Sequence, residues 1–336
     1  MQMAEMNAQM AADIAADEDR QQRAIRALKQ DFAGAGPQPL QSGDARDADI
    51  EKPEPLWRSV WATLKTDKFA MISLVFIIFL VVESIVTALV PSILPYDPYK
   101  QVLADSMLPP SSEHWFGTDM NGRDLFSRVL GGTQISLSCG LLSVTISLVV
   151  GVTLGAIAGY KGGMVDTVIM RIMDMMLAIP SILLAITFMA AFGRGFEKAV
   201  VAIGLVSIPE YARIVRSQIL SVKENDYVAA ARVVGDSDAK IILHHVLPNV
   251  MPSIIVRATL GISSAILDCA ALGFLGLGVQ PPAAEWGDML GRGRSYIFSA
   301  PYLMLFPGLA ITLTVLAFNL LGDGIRDAFD PKSRRR

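Results

Sequence analysis

The chain has 336 residues, of which 52% are hydrophobic, and its mean hydropathy is +0.44. These values exclude an ordinary soluble globular domain of this length and predict an all-α polytopic membrane protein. The formal net charge of −3 argues against binding to nucleic acid. Cys139 and Cys269 both fall in apolar segments, so the sequence signals neither a disulfide framework nor a metal site.

The first segment, residues 1–56, carries eleven acidic and six basic side chains. Gly and Pro cluster over residues 34–39, and the segment has little apolar surface to bury. We therefore predict a disordered cytoplasmic arm. No apolar core follows a basic start, so a cleavable signal peptide is not expected.

Six later segments are predicted to cross the membrane, since a helical span needs about 20 largely apolar residues. The third is interrupted by Pro180, and the fourth has only ten uninterrupted apolar residues before Pro209. We count the fourth as a kinked span because an even number of crossings must separate Lys161 from the polar residues after Arg213. The predicted spans are Phe69–Val90, Ile135–Gly159, Met164–Phe192, Glu197–Val215, Val250–Val279 and Tyr302–Leu321.

The positive charges orient these spans. The predicted inner segments hold 15 Lys and Arg residues, whereas the outer ones hold 7. Since Lys and Arg concentrate on the cytoplasmic side, both termini are predicted to be cytoplasmic. The predicted division is an arm over 1–56, a first span with its outer connection over 57–134, a core of five spans over 135–322 with a cytoplasmic loop at 216–249, and a cytoplasmic tail over 323–336.

Two patterns within the spans suggest how the helices pack. Gly151, Gly155 and Gly159 are four residues apart and give one smooth face for close helix packing. A charge at the membrane centre costs about 2.5 to 3.5 kcal/mol, so charged residues in spans should be paired, near an interface, or facing protein or water. Asp174 is expected to pair with Arg171 on the same helix face. The charges considered for a structural role or for the translocation path are Glu83, Asp174 and Asp268.

The outer connection contains Asp119, Asn121 and Asp124, which could suggest a calcium loop. The twelve-residue spacing and terminal Glu of that motif are absent, so we predict a turn with side-chain caps instead. His244 and His245 are adjacent and would point in different directions on a helix, which favours a solvated or capping role.

We define the polar loop as Asp226–Asn249, a charged segment between apolar ones that must lie in water. Residues 227–234 include Ala229, Ala230 and Ala231 and lack Gly and Pro, so they predict a short helix. Gly235 is expected to end it as a cap with positive φ. The three small side chains would form a low ridge that fits a groove of another protein, and an ordinary solvated loop is the alternative.

The polar loop resembles the "EAA" loop of ABC-importer permeases, in which a short helix docks into the ATP-hydrolysing subunit. Ala229 stands where that family usually has Glu. Further blocks resemble the dipeptide and oligopeptide permeases: FGTDMNGRD over 116–124, LGFLGLGVQPPAAEW over 272–286, and residues 306–331. The residues that match the loop motif are Ala230, Ala231, Gly235, Leu247 and Pro248.

The resemblance implies a type I ABC-importer permease fold in the bacterial inner membrane, embedded in lipid, with no cofactor. It implies three partners: a second permease subunit, ATP-binding cassette subunits, and a periplasmic or lipid-anchored substrate-binding protein. The expected cargo is a dipeptide or oligopeptide, with nickel or glutathione as alternatives within the family. The ATPase-docking residues would be Ala229, Ala230, Ala231, Gly235, Leu247 and Pro248.

The sequence also bears on catalysis. It contains no GxxxxGK[ST] phosphate-binding motif, so the chain is expected to be a transport subunit and its partners to hydrolyse ATP. An ion-coupled secondary transporter is a rival, and it would place Asp268 or Glu83 near the membrane midplane. A non-transporting membrane scaffold is a third possibility, for which the polar loop would serve assembly alone.

Overall fold

The computed structural model describes residues 56–330. Within that range the regular structure is helical, apart from one isolated bridge pair between Thr118 and Asp124. The prediction of an all-α protein is confirmed. The predicted arm over 1–56 lies outside the described residues except for position 56. The last part of the predicted tail, residues 331–336, also lies outside them.

The helices follow one another with short connections, except for the longer ones before α3 and on either side of α9. Helix α8 includes π-helical turns over Ile241–Val246. In chain order the helices are α1 Leu56–Thr66, α2 Lys68–Leu89, α3 Leu125–Lys161, α4 Gly163–Leu177, α5 Ser181–Phe192, α6 Phe196–Val222, α7 Asp226–Val234, α8 Asp238–Phe274, α9 Trp286–Gly293 and α10 Tyr302–Phe329.

By length and composition, four of the described helices can cross a membrane: α2, α3, α8 and α10. The pair α4 and α5 makes a fifth candidate, with a bend of 94° between the two helices. The break lies at Pro180, as predicted, because proline disfavours the helical conformation of the residue before it. Helix α6 has 27 residues with Pro209 inside it, but it is not among the apolar candidates. The count of six spans therefore stays a prediction.

Helix α3 begins at Leu125, ten residues before the predicted span, so the end of the predicted outer connection is helical. Asp124 caps its first turn by accepting a hydrogen bond from the Ser127 backbone N–H at 2.8 Å. Arg128 is almost completely buried and donates to the Pro98 carbonyl oxygen at 2.8 Å. Ser127 and Arg128, which fall in the predicted connection, are therefore helical, and the hydrogen-bond partner of Arg128 comes from the chain before the helix.

The turn before α3 is held by side-chain caps, as predicted. The Asp119 carboxylate accepts from the Asn121 N–H at 2.8 Å and the Arg123 N–H at 3.1 Å, and the Arg123 guanidinium donates to it at 2.7 Å. Among the described residues there is no group of three or more His, Cys, Asp or Glu side chains that could hold a metal ion.

The glycine face of α3 packs against α6, and this is the most extensive helix contact among the described elements. A Cβ atom added at Gly155 would lie 3.0 Å from the Ala212 Cα and closer still to its carbonyl oxygen. The Ser147 hydroxyl reinforces the contact by donating to the Gly204 carbonyl at 2.8 Å. The predicted packing role of Gly151, Gly155 and Gly159 is confirmed by these approaches.

Helix α4 is tied to α6 by two ion pairs. Asp174 pairs with Arg213 at 2.6 Å, not with Arg171 as the sequence spacing suggested. Asp166 pairs with Arg216, whose Nη2 lies 2.6 Å from Oδ2. The expectation for Asp174 was right about a structural pair and wrong about the partner, because the packed neighbouring helix supplies a guanidinium that helix periodicity does not reveal.

We predict that Gly155→Ala destabilises the protein by about 1 to 3 kcal/mol, because α3 and α6 must move apart to admit the new methyl group. Gly308→Ala in α10 is the matched control, since its added Cβ would have its nearest neighbour at 3.8 Å. Thermal unfolding in detergent should show a lower midpoint for Gly155→Ala than for Gly308→Ala. Equal midpoints would contradict the close packing described above.

Candidate functional site

The polar loop is anchored through one residue of α7. Val228 is fully buried against Ile241, Val246 and Val250 of α8. Ala229 and Ala230 are exposed, whereas Ala231 is half-buried. Helix α7 therefore packs on the protein along a narrow stripe and leaves most of its surface open.

The open surface of the polar loop is more apolar than the predicted alanine ridge. Val233 and Val234 have 88% and 83% of their surface exposed, and Leu243 has 58%. The sequence analysis did not single out these three residues. The sequence signal was that Val233 and Val234, both β-branched, stand directly before the helix-ending Gly235. At these positions their side chains do not share the helix face of buried Val228. Contiguous exposed apolar side chains on a charged loop are typical of a partner contact.

Gly235 ends α7 in the left-handed region, with φ +90° and ψ 20°, as predicted. Its N–H donates to the Arg232 carbonyl at 3.0 Å, and the Asp236 N–H donates to the Ala231 carbonyl at 3.1 Å. These bonds satisfy carbonyl groups that the end of the helix leaves open. No atom lies within 4 Å of a Cβ built at Gly235, so the backbone conformation alone, and not lack of space, favours glycine.

The turn after Gly235 is stabilised by charge. The Lys240 ammonium donates to the Asp236 carboxylate at 2.6 Å, and His245 Nε2 lies 3.3 Å from its other oxygen. The hydrogen bond from Lys240, followed by that from His245, lowers the pKa of Asp236. His245 thus contacts a carboxylate of this turn, and His244 is exposed, as expected of a solvated residue.

The polar loop is also tied to the end of α3. The Arg232 guanidinium lies 5.2 Å from the centre of the Tyr160 ring, and its Nε donates to the Tyr160 hydroxyl at 3.4 Å. The Lys223 ammonium donates to the Gly159 carbonyl at 3.1 Å. These contacts fix the direction in which α7 presents its exposed face, while Leu247 is half-buried and Pro248 exposed at the start of the apolar part of α8.

A second feature is a cavity of about 590 Å³ among the helices. Its wall includes the break between α4 and α5, one residue of α3, and one side each of α6 and α8. The lining residues are Val144, Met176, Leu177, Ile179, Pro180, Ser181, Val206, Ser207, Glu210, Tyr211, Arg257, Gly261, Ser264, Leu267 and Asp268.

The cavity brings together charges that are far apart in the chain. Of the three charged candidates from sequence, Asp268 lines it, whereas Glu83 lies half-buried on α2 and Asp174 forms its pair with Arg213 elsewhere. The sequence analysis did not identify the ion pair between Arg257 of α8 and Glu210 of α6. Both residues interrupt apolar segments, which was the available signal, but nothing local shows that they meet.

These helices, the charged cavity among them and the anchored polar loop define a membrane-embedded transport subunit. Residues 151–335 match the sequence model of the family described as binding-protein-dependent transport system inner membrane component. Residues 55–110 match the N-terminal transmembrane domain of oligopeptide transport permease C. The chain belongs to the dipeptide and oligopeptide permeases of ABC importers.

Several curated relatives match over most of their length. A dipeptide transport system permease of Alkalihalophilus pseudofirmus is 47% identical over 83% of this chain and 90% of its own. A di/tripeptide transport system permease of Pseudomonas aeruginosa is 44% identical over 87% of this chain and 97% of its own length. A glutathione transport system permease of Pectobacterium atrosepticum is 44% identical over 85% of this chain and 94% of its own length.

A solved structure of the methionine ABC transporter MetNI, in an inward-facing conformation, shares the fold with a TM-score of 0.51 and 18% identity. The match covers 61% of this chain and 98% of the other. The family membership confirms a multi-pass inner-membrane transport subunit that is not itself an enzyme. Permeases of this family work with a second permease, ATP-binding subunits and a substrate-binding protein.

Proposed function

We propose that this chain moves short peptides across the inner membrane as one of the two permease subunits of an ATP-driven importer. The observation that carries the proposal is the 47% identity to a dipeptide permease over 83% of the chain. Relatives named for di/tripeptides and D,D-dipeptides support the same cargo class. Glutathione, itself a tripeptide, is the second candidate because glutathione permeases are 44% to 46% identical.

The polar loop is the proposed ATPase-docking surface. Its anchored helix α7 presents Ala229, Ala230 and the exposed Val233 and Val234 away from the spans, and the Gly235 cap fixes where that face points. A short helix with a small and apolar face suits a groove on a partner. Ala231, Leu247 and Pro248, at the margins of this surface, complete the proposed contact.

The orientation follows from this assignment. ATP is hydrolysed in the cytoplasm, so a polar loop that contacts the ATPase lies inside, together with both termini. The connections 90–124 and 275–301 then lie outside, where a substrate-binding protein delivers cargo. The excess of Lys and Arg on the proposed inner side supports the same arrangement.

We predict that Gly235→Val weakens ATPase association and abolishes uptake while the protein still inserts into the membrane. A β-branched residue at this φ is strained by about 1 to 3 kcal/mol, so the end of α7 must rearrange. Gly235→Asn is the control, because asparagine tolerates the left-handed conformation. Co-purification of the ATPase subunits should fail for valine and persist for asparagine. Wild-type co-purification and uptake in Gly235→Val would reject the docking role.

The proposed orientation predicts opposite reactivity for two introduced cysteines. Ser112→Cys, in the outer connection, should react with an impermeant thiol reagent in intact spheroplasts, whereas Ser237→Cys should react only after lysis. Both serines are exposed, and the native Cys139 and Cys269 are buried, so the wild type provides the background. The reverse pattern would overturn the orientation.

Reconstitution tests the function itself. The purified chain alone should hydrolyse no ATP, whereas proteoliposomes with the second permease, the ATPases and the binding protein should take up labelled dipeptide in an ATP-dependent manner. Leaving out the binding protein is the control. Tripeptide, glutathione and nickel should be compared as cargo under the same conditions. Robust turnover by the isolated chain, or uptake that needs no ATP, would refute the proposal in favour of a different transport class.

A further inference from the structure

The cavity presents a charged stripe on a helix that is otherwise apolar enough to cross the membrane. Arg257, Gly261, Ser264 and Asp268 all line it, and their spacing of four, three and four residues places them on one face of α8. Charges in membrane spans are expensive and commonly mark a substrate path. The stripe therefore needs an explanation beyond helix packing.

Arg257 has hydrogen-bonding capacity that its protein partners do not use. Its Nη2 pairs with Glu210, and its guanidinium lies 5.6 Å from the centre of the Tyr211 ring. Its Nε is buried and has no hydrogen-bond partner among the described residues, whereas the side chain as a whole keeps 27% of its surface exposed and lines the cavity. Since a guanidinium carries five N–H donors and suits planar carboxylates, Arg257 can bind a second oxyanion from the cavity.

The spacing of the two charges fits a short peptide. Arg257 and Asp268 are eleven residues apart, which corresponds to about 16 Å along the helix axis. An extended tripeptide spans about 10 Å, and the long arginine side chain reaches across part of the remainder. A peptide zwitterion has one carboxylate and one ammonium at its ends, and these are the complements of Arg257 and Asp268. The cavity volume of about 590 Å³ lies in the usual range for small-ligand sites.

We propose that this cavity is a transient binding site for peptide cargo, in which Arg257 binds the terminal carboxylate and Asp268 binds the terminal ammonium. Glu210 holds Arg257 while the cavity is empty, and the arriving carboxylate replaces it. The inference rests on the proposed function, since it assumes that peptides pass through this subunit. The competing explanation is that Arg257 and Glu210 only tie α8 to α6.

The two explanations differ in what Glu210 does. The test uses the complete complex in proteoliposomes with saturating binding protein, so that delivery is the same for all variants. Arg257→Gln should lower tripeptide uptake about tenfold or more, the usual effect of losing a charged hydrogen bond. Glu210→Gln should raise uptake at limiting cargo, because it removes the competitor for Arg257. A structural tie predicts comparable losses for both variants, and that result would overturn the inference.

Modified peptides test which end of the cargo each residue binds. Arg257→Gln should lose its effect with a tripeptide that carries a C-terminal amide, and Asp268→Asn should lose its effect with an N-acetylated tripeptide. The binding protein's own preference cancels when each variant is compared with wild type for the same cargo. Equal losses for native and modified peptides would overturn the assignment. If a modified peptide gives no wild-type uptake, the contrast between Arg257→Gln and Glu210→Gln decides.

The control variant is Arg213→Gln, which breaks the exposed pair with Asp174 outside the cavity lining and should leave uptake near wild type. ATPase turnover by every complex shows that the variants assemble. Absence of peptide uptake by the wild type would reject the proposed function. Normal wild-type uptake with an unaffected Arg257→Gln variant would reject this inference alone.

Discussion

The close contact between α3 and α6 is the constraint on which the remaining arrangement depends. Gly155 lets the α6 backbone approach so closely that a Cβ atom there would be 3.0 Å from the Ala212 Cα. Because α6 also carries Glu210, Arg213 and Arg216, its position on α3 determines which helices those charges can reach. Small residues at this contact therefore fix both packing and electrostatics, since closely packed interiors leave little freedom to shift.

The charges within the helices fall into two groups with different physical roles. The pairs that join α4 to α6, Asp174 with Arg213 and Asp166 with Arg216, use carboxylates outside the cavity lining. Arg257, Glu210 and Asp268 line the cavity, where water can solvate their charges, and Arg257 also pairs with Glu210. A charge in an apolar helix must be compensated in one of these ways. The distinction depends on tertiary position, so charged residues of similar sequence context serve different purposes.

Local sequence signals predicted the features that depend on local physics. Helix α2 lies within one residue of its predicted bounds at both ends, because an apolar run is followed by Pro91. The Gly235 cap was also predictable from local sequence, because a glycine directly follows a helix-forming run. The start of α3 was not predictable from local sequence, because buried Arg128 has its hydrogen-bond partner 30 residues away. The ion pair of Arg257 was also hidden, because its partner is 47 residues distant in sequence and no periodicity connects them. Exposed Val233 and Val234 depart from the usual preference of valine for burial, which fits the docking surface proposed for the polar loop.

Helix α8 connects the two candidate sites within one element. It runs without interruption from Asp238 to Phe274, beginning in the polar loop and then carrying Arg257 and Asp268 along the cavity. Its π-helical turns lie within the polar loop, before the residues that line the cavity, and such irregular turns are frequent at functional sites. Because Val228 packs on the same turns through Ile241 and Val246, a displacement of α7 acts directly on this helix. With ATPase subunits docked on α7 as proposed, the contacts of Val228 with Ile241 and Val246 join the docking surface to the helix that lines the cavity.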